Sequence, residues 1–211
     1  YRITVVDGLA GRFIDIRLLW QGEVERTLCL LDAAAQELKC ERGTGGVALH
    51  DFVLAEGEYV IDVSGVPAPD VPYVLRVEAS GEAVPRFETE PNDAAAAASP
   101  LVPDGDGYSG SGRLSYQDVD HFRVTVSGEP QLWLVAVDGD GLAQVDLLDS
   151  AGAAVMRAAP VETGFALVDA YLVPGDHVVR VSGSQGDYQV TLTPLGPPDP
   201  HHEREPNDGV D

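Results

Sequence analysis

An acidic hexapeptide that occurs twice contains the residues best suited to chemistry. Glu-x-Glu-Pro-Asn-Asp stands at Glu88–Asp93 and again at Glu203–Asp208. On an extended backbone Glu88 and Glu90 place their carboxylates on the same side of the chain. The bend expected after Pro91 adds an amide and a further carboxylate. Such hard oxygen ligands are those that calcium prefers.

A second acidic pair follows in the same stretch of chain. Asp118 and Asp120 alternate in the same way, just before the strand pattern that begins at Phe122. If the two pieces fold together, the cluster of carboxylates and one amide would repel itself strongly without a cation. The alternative is that these acids are solvated turn and strand-edge residues. We therefore expect a metal site that combines the hexapeptide with this pair.

The charge of the chain restricts its partners. The 211 residues carry 13 basic and 35 acidic side chains, a net charge of −22. That sign repels phosphate backbones and anionic lipids, so no nucleic acid partner and no membrane insertion is expected. No apolar run approaches the roughly 18–20 residues of a membrane-spanning helix. The length fits one large domain or two of ordinary size.

The two cysteines, Cys29 and Cys40, lie at equal distances on either side of Ala34 and Ala35. Opposed positions on a hairpin have this arrangement, which predicts a cross-strand disulfide. The alternative is two free, buried thiols. If the bond forms, the compartment is oxidising.

An internal repeat organises the chain. Tyr1–Val5 reappears as Phe122–Val126, and the Tyr73–Val77 pattern reappears at Tyr188–Leu192. The offsets between matching segments lie between 115 and 121, which is the length of a domain. Alternating apolar and polar residues predict strands, with Gly-containing turn signals between them. The expected fold is all-β, with two tandem antiparallel β-sandwich domains.

Domain boundaries follow from the repeat. We expect a first sandwich over residues 1–80 that lacks its opening strand, and a linker over 81–86. A second, complete sandwich is expected over 87–195. We expect residues 196–211 to comprise a Pro-rich spacer and the opening strand of a third repeat.

The ordered set of motifs resembles the bacterial pre-peptidase C-terminal (PPC) domain family. The hexapeptide opens the unit, and Asp-x-Asp-x-Phe, a Leu-x-Asp hairpin, Pro-Gly-Asp-His-Val-Val-Arg-Val and a final Tyr strand follow. The resemblance implies a jelly-roll-like sandwich, export from bacteria and attachment to secreted hydrolases. It also implies a calcium site near the start of the domain. The ligands implied by position are Glu88, Glu90, Asn92, Asp93, Asp118 and Asp120, with a half-site at Glu203, Glu205, Asn207 and Asp208.

The expected function is that of a non-catalytic, calcium-stabilised accessory module of a secreted or cell-surface bacterial protein. It would act in stability, in spacing, or in attachment to neighbouring domains, extracellular protein or polysaccharide. Neither a Gly-x-Ser-x-Gly elbow nor a His-Glu-x-x-His motif is present. An alternative is an adhesion module that uses Trp20 or Trp133 as an exposed stacking platform. A further alternative is a structural subunit of an extracellular assembly, in which another chain completes the first sandwich.

Overall fold

The computed structural model describes residues 1–66, 71–115, 118–160 and 164–198. Almost every ordered element is a β-strand, and the strand pairs are antiparallel with one short exception, which confirms the all-β prediction. The chain divides into two compact units. Unit 1 comprises Tyr1–Val84 with Thr89–Pro91, and unit 2 comprises Pro85–Glu88 with the chain from Asn92 onward. Among the described residues, no helix has the length and apolar character that crossing a membrane requires.

Unit 1 is built from two antiparallel sheets. One has the strand order β1-β6-β3-β4 and the other β5-β2-β7. Apolar side chains from both sheets, among them Ile16, Leu18, Leu28 and Ile61, are fully buried in one core. Two sheets that share a core form a sandwich. The strands are β1 (Arg2–Val5), β2 (Arg12–Trp20), β3 (Glu25–Leu31), β4 (Glu37–Thr44), β5 (Gly46–Val53), β6 (Gly57–Gly65) and β7 (Tyr73–Glu82).

Unit 2 has the same plan with three additional strands. One sheet has the order β15-β12-β17-β10-β9 and the other β14-β13-β16-β11-β8, where the short β8 pairs with β11 in parallel. Their inner faces bury a second core that includes Phe122, Val135 and Val190. A 3₁₀ turn at Ala95–Ala97 precedes β8. The strands are β8 (Ser99–Pro100), β9 (Val102–Asp104), β10 (Gly107–Leu114), β11 (Val119–Val126), β12 (Gln131–Gly139), β13 (Leu142–Leu148), β14 (Ala154–Ala158), β15 (Phe165–Leu172), β16 (Gly175–Gly183) and β17 (Gly186–Gly196).

Strand register agrees with the repeat found in the sequence. Val5 pairs with Gly57 in unit 1, and the matching Val126 pairs with Gly175 in unit 2. The sheets β1-β6-β3-β4 and β11-β16-β13-β14 therefore correspond strand by strand. The sheet β5-β2-β7 corresponds in the same way to β15-β12-β17. Strands β8, β9 and β10 have no counterpart among the described residues of unit 1.

Two further sequence predictions concern unit 1. Cys29 and Cys40 face each other on β3 and β4 and form the predicted disulfide. Strand β7 continues to Glu82, so it runs into the predicted linker over 81–86. Trp20 is only 7% exposed, and Trp133 in unit 2 only 3%. Both indoles are core residues, which argues against the exposed stacking platform.

Candidate metal centre

The opening segment of unit 2 lies beside β10. Phe87 forms an isolated parallel bridge with Ser111. The Glu88 amide donates a 2.9 Å hydrogen bond to the Ser111 carbonyl, and the Ser111 amide donates one of 2.7 Å to the Arg86 carbonyl. This pairing fixes the backbone of Glu88 against the sheet and directs its side chain toward the sandwich interior.

Glu88 is 1% exposed, and its carboxylate accepts three hydrogen bonds. The Arg113 amide donates to Oε1 at 2.6 Å, while the Asn92 side-chain amide and the Tyr188 hydroxyl donate to Oε2 at 2.8 and 2.9 Å. The segment from Glu88 to Asn92 thus returns on itself. Asn92 is fully buried, and its backbone carbonyl accepts a 3.0 Å hydrogen bond from Nδ1 of His121.

Asp120 lies on the core-facing side of β11. Asp120, Phe122 and Val124 occupy alternate positions on that strand and are all buried. A buried carboxylate among apolar side chains requires hydrogen bonds or a cation. The Tyr188 hydroxyl lies 2.6 Å from Asp120 Oδ2, and the Asp120 side chain also hydrogen-bonds Glu88.

The hydrogen bonds at this centre provide too few donor protons to compensate two ionised carboxylates. Tyr188 has a single hydroxyl proton, yet its oxygen contacts both Glu88 and Asp120. Burial raises the pKa of Glu88 from 4.5 to about 7, although its hydrogen bonds from Arg113, Asn92 and Tyr188 oppose that rise. Burial and the two nearby carboxylates also raise the pKa of Tyr188 well above its usual value. An additional positive charge, whether a proton or a cation, would therefore compensate the buried carboxylates.

Asp118 lies immediately before β11, two residues from Asp120, and is 3% exposed. Its Oδ2 accepts a 2.9 Å hydrogen bond from the Ser115 amide, and its Oδ1 accepts one of 3.0 Å from the Val119 amide. One carboxylate oxygen of Asp118 lies within 4.8 Å of one of Asp120. That separation is short enough for one ion to contact both.

A glycine on β10 leaves room for this centre. A Cβ on Gly112 would lie 2.5 Å from the Glu88 carboxyl carbon and 2.6 Å from its Oε1, and would also contact the Tyr188 hydroxyl. Real Cβ atoms do not approach other atoms so closely. Gly112 is thus required for the buried carboxylate to lie under β10, a role that the sequence pattern alone did not indicate.

The structure therefore brings four of the predicted ligands together in unit 2. They are Glu88, Asn92, Asp118 and Asp120. Asp93 is exposed and contributes negative charge near His121. Glu90 belongs to unit 1, where its amide bonds the Asp51 carbonyl and its carboxylate lies 3.4 Å from Lys39 Nζ. The predicted half-site of Glu203, Glu205, Asn207 and Asp208 lies outside the described residues.

Sequence reasoning missed two members of the centre. Tyr188 contributes the hydroxyl that joins Glu88 to Asp120, and the only signal for it was the recurring Tyr at the start of the last strand of each repeat. His121 holds the carbonyl of Asn92, and burial lowers its pKa. Neither contact follows from local spacing, because both join residues far apart in the chain.

The donor set fits a hard divalent cation. Carboxylate and amide oxygens are calcium ligands. The predicted ligands differ in how many of their oxygens are available to an ion. The carboxylate of Glu88 already accepts three hydrogen bonds. Asp118 and Asp120 are therefore better placed than Glu88 to contact an ion directly, whereas Glu88 orients its surroundings.

Comparisons with known proteins give no assignment. No family model matches the chain, and no curated protein matches it. Among solved structures, a protein of Eubacterium rectale described as secreted is 10% identical over 93% of this chain and 70% of its own, with a TM-score of 0.24. The insecticidal delta-endotoxin Cry8Ea1 from Bacillus thuringiensis is 10% identical over 92% of this chain and 55% of its own, with a TM-score of 0.31. The coconut allergen cocosin is 11% identical over 89% and 75%, with a TM-score of 0.20. These values are too low for the similarity to indicate function.

Proposed function

We propose that this protein is a non-catalytic accessory module of a secreted bacterial protein, and that calcium bound in unit 2 stabilises it. The observation that carries the proposal is the buried centre of Glu88, Asn92, Asp118 and Asp120 at the start of that unit. The resemblance of the motif order to PPC domains supports the same role. The disulfide between Cys29 and Cys40 supports export, since such bonds persist in oxidising compartments.

When bound, calcium supplies the positive charge that a proton otherwise provides at this centre. Asp118 and Asp120 would hold it, and the Asn92 amide oxygen is a further candidate ligand. Glu88 remains hydrogen-bonded to the Arg113 amide and keeps the opening segment against β10. The stability of the opening segment would thus be linked to calcium concentration, because a ligand that binds only the folded state stabilises it.

The test is thermal unfolding of unit 2 with calcium and with a chelator at pH 8. At a calcium concentration of about 100 times Kd, binding to the folded state raises the free energy of unfolding by about 2.7 kcal/mol. For a unit of this size that corresponds to a rise of roughly 10–20 °C in Tm.

Matched variants identify the ligands. Asp120→Asn and Asp118→Asn should each remove most of the calcium-dependent rise, whereas Glu129→Gln, at an exposed turn, should leave it unchanged. Calorimetric titration of the protein with calcium measures the affinity directly. If the chelated and calcium-loaded proteins melt at the same temperature and titration shows no heat, the proposal is wrong.

A further inference from the structure

The edge strand of one sheet in unit 1 is fixed by the disulfide. Strand β4 lies at the edge of the sheet β1-β6-β3-β4 and pairs with β3. Cys29 and Cys40 join the two strands, and both residues are partly exposed. A small thiol in solution can therefore reach the bond. Its reduction would leave β4 held by hydrogen bonds and packing alone.

An ion pair occupies the same register position in unit 2. Cys29 corresponds to Asp146, because each residue directly precedes the Leu-Leu-Asp of its repeat. Cys40 corresponds to Arg157, because Cys40 pairs with Cys29 and Arg157 pairs with Asp146 across neighbouring strands. The Arg157 Nε donates a 2.7 Å hydrogen bond to Asp146 Oδ1. The two units thus connect the same pair of strands by different chemistry, and the connection in unit 2 contains no sulfur.

Lys39 directly precedes Cys40 and extends toward the inside of the sandwich. It lies opposite Leu30, whose side chain is fully buried in the core, so the two side chains share one face of the sheet. At the matching position of unit 2, Leu147 pairs with Met156. The disulfide and the lysine therefore occur together on β4, and neither occurs at the corresponding positions of unit 2.

Lys39 holds a separate segment of chain, Thr89–Pro91, against unit 1. Its Nζ lies 3.4 Å from Glu90 Oε1, and the two side chains are only 10% and 6% exposed. The Glu90 amide also donates a 3.2 Å hydrogen bond to the Asp51 carbonyl. A buried carboxylate that loses its cation is strongly disfavoured in the interior. The position of Glu90 in unit 1 thus depends on where β4 holds Lys39.

We propose that the Cys29–Cys40 bond is a thiol-sensitive switch that controls whether the segment Thr89–Pro91 stays on unit 1. In the exchange reaction, a dithiol passes two electrons and two protons to the cysteines. The S–S bond breaks, two thiols form, and the reductant becomes a disulfide. Strand β4 then opens locally more often, Lys39 moves away from Glu90, and the carboxylate moves into water. The inference goes beyond the proposed calcium site and does not depend on it, because every group involved belongs to unit 1.

The experiment follows amide hydrogen exchange by NMR in the full chain, in chelator, with and without dithiothreitol. In the oxidised protein, the hydrogen-bonded amides of β4 and the amide of Glu90 should be protected. After reduction, exchange at both should become about 30- to 100-fold faster, the factor that corresponds to the entropy of the closed loop. The amides of β14 in unit 2, where the ion pair takes the place of the bond, should exchange at an unchanged rate.

Variants separate the two halves of the switch. Lys39→Met introduces the residue that unit 2 has at this position, and it should release Glu90 in the oxidised protein while β4 stays protected. Arg42→Met is the matched control, because Arg42 lies on the same strand and forms an exposed ion pair. It should leave Glu90 protected. A protein with Cys29→Ser and Cys40→Ser should exchange like the reduced protein and should not respond to dithiothreitol.

Three results would overturn the proposal. The first is a Glu90 amide that stays protected after reduction while β4 opens, which would make the bond a connection between two strands only. The second is unchanged exchange in both β4 and Glu90. The third is a change in Trp20 emission together with loss of protection throughout unit 1, because the bond would then be required for the fold itself.

Discussion

The proton requirement of the acid centre predicts an unusual pH dependence. In the cation-free protein, unit 2 should become less stable as the pH rises from 5 to 8. Glu88 has an ordinary pKa of 4.5 that burial raises to about 7 in the folded state. Between these values the folded state holds a proton that the unfolded state has released, so stability falls as pH rises. The stabilisation is complete below about 4.5 and is lost through about 7.

The magnitude follows from the two pKa values. The interval between 4.5 and about 7 corresponds to about 3 kcal/mol, because one pKa unit is worth 1.36 kcal/mol. This is a large part of the 5–15 kcal/mol that stabilises a typical domain. Ordinary surface acids, whose pKa values the folded state lowers, give a change of the opposite sign.

The assay is urea unfolding in chelator at several pH values, with a probe confined to unit 2. Trp133 is buried in the core of that unit, and a Trp20→Phe background removes the signal from unit 1. The fall in the free energy of unfolding with rising pH should be absent in Glu88→Gln, whose side chain cannot ionise. The same fall should be preserved in Glu129→Gln. With saturating calcium the free energy of unfolding should instead rise with pH, because metal binding requires deprotonated carboxylates.

Stability that rises or stays level between pH 5 and 7 in chelator would refute the reasoning. So would a Glu88→Gln protein with the same slope as the parent protein. Either outcome would mean that the carboxyl is already ionised in the folded state. Calcium would then not replace a proton at Glu88.

The structure supports three further predictions. Replacing both Cys29 and Cys40 by serine should cost unit 1 about 2–3 kcal/mol, measured as urea unfolding by tryptophan emission, because the bond closes a short loop. Gly112→Ala should lower the Tm of unit 2 by an amount equivalent to about 1–3 kcal/mol, because the added Cβ overlaps the Glu88 carboxyl group. Gly81→Ala is the control, because an added Cβ there meets no atom within 4 Å. It should not destabilise unit 1 in the same melting assay. Asp146→Asn should cost unit 2 about 1–3 kcal/mol in urea, because this fully buried carboxylate accepts hydrogen bonds from two arginines and a glutamine; an unchanged midpoint would show that these contacts are energetically neutral.

Local patterns were sufficient to predict the strands and their repetition. The alternation of Ile3 and Val5 with polar residues indicates one buried face, and the same pattern at Val124 and Val126 indicates its copy. The disulfide was predictable because symmetric spacing about a turn places two residues opposite each other. Such features depend on contacts within a hairpin, which sequence spacing encodes directly.

The roles within the acid centre could not be predicted in this way. Glu88 was placed among the ligands because its residue type and spacing suit calcium, yet its carboxylate accepts a hydrogen bond from Tyr188, 100 residues further along the chain. Which residue meets Glu88 depends on the register of β17 against β10, and that register is set by the whole sandwich core. Glu90 and Glu88 are two residues apart, but the structure assigns them to different units. A period of two predicts only that both side chains point in one direction.

Comparison of the two units bears on why the acids of unit 2 are buried. Tyr73 corresponds to Tyr188, but its hydroxyl contacts that of Tyr1 at 2.7 Å, and the guanidinium of Arg26 stacks over its ring. Unit 1 nevertheless closes a core in which Leu28 and Ile61 are fully buried. The Tyr73 hydroxyl therefore contacts a neutral partner, whereas the Tyr188 hydroxyl lies between two carboxylates. Burying a charged carboxylate is costly unless it is compensated, so packing alone does not account for the acids of unit 2. A proton or a bound cation would each compensate these charges, and we propose that a cation does so where calcium is present.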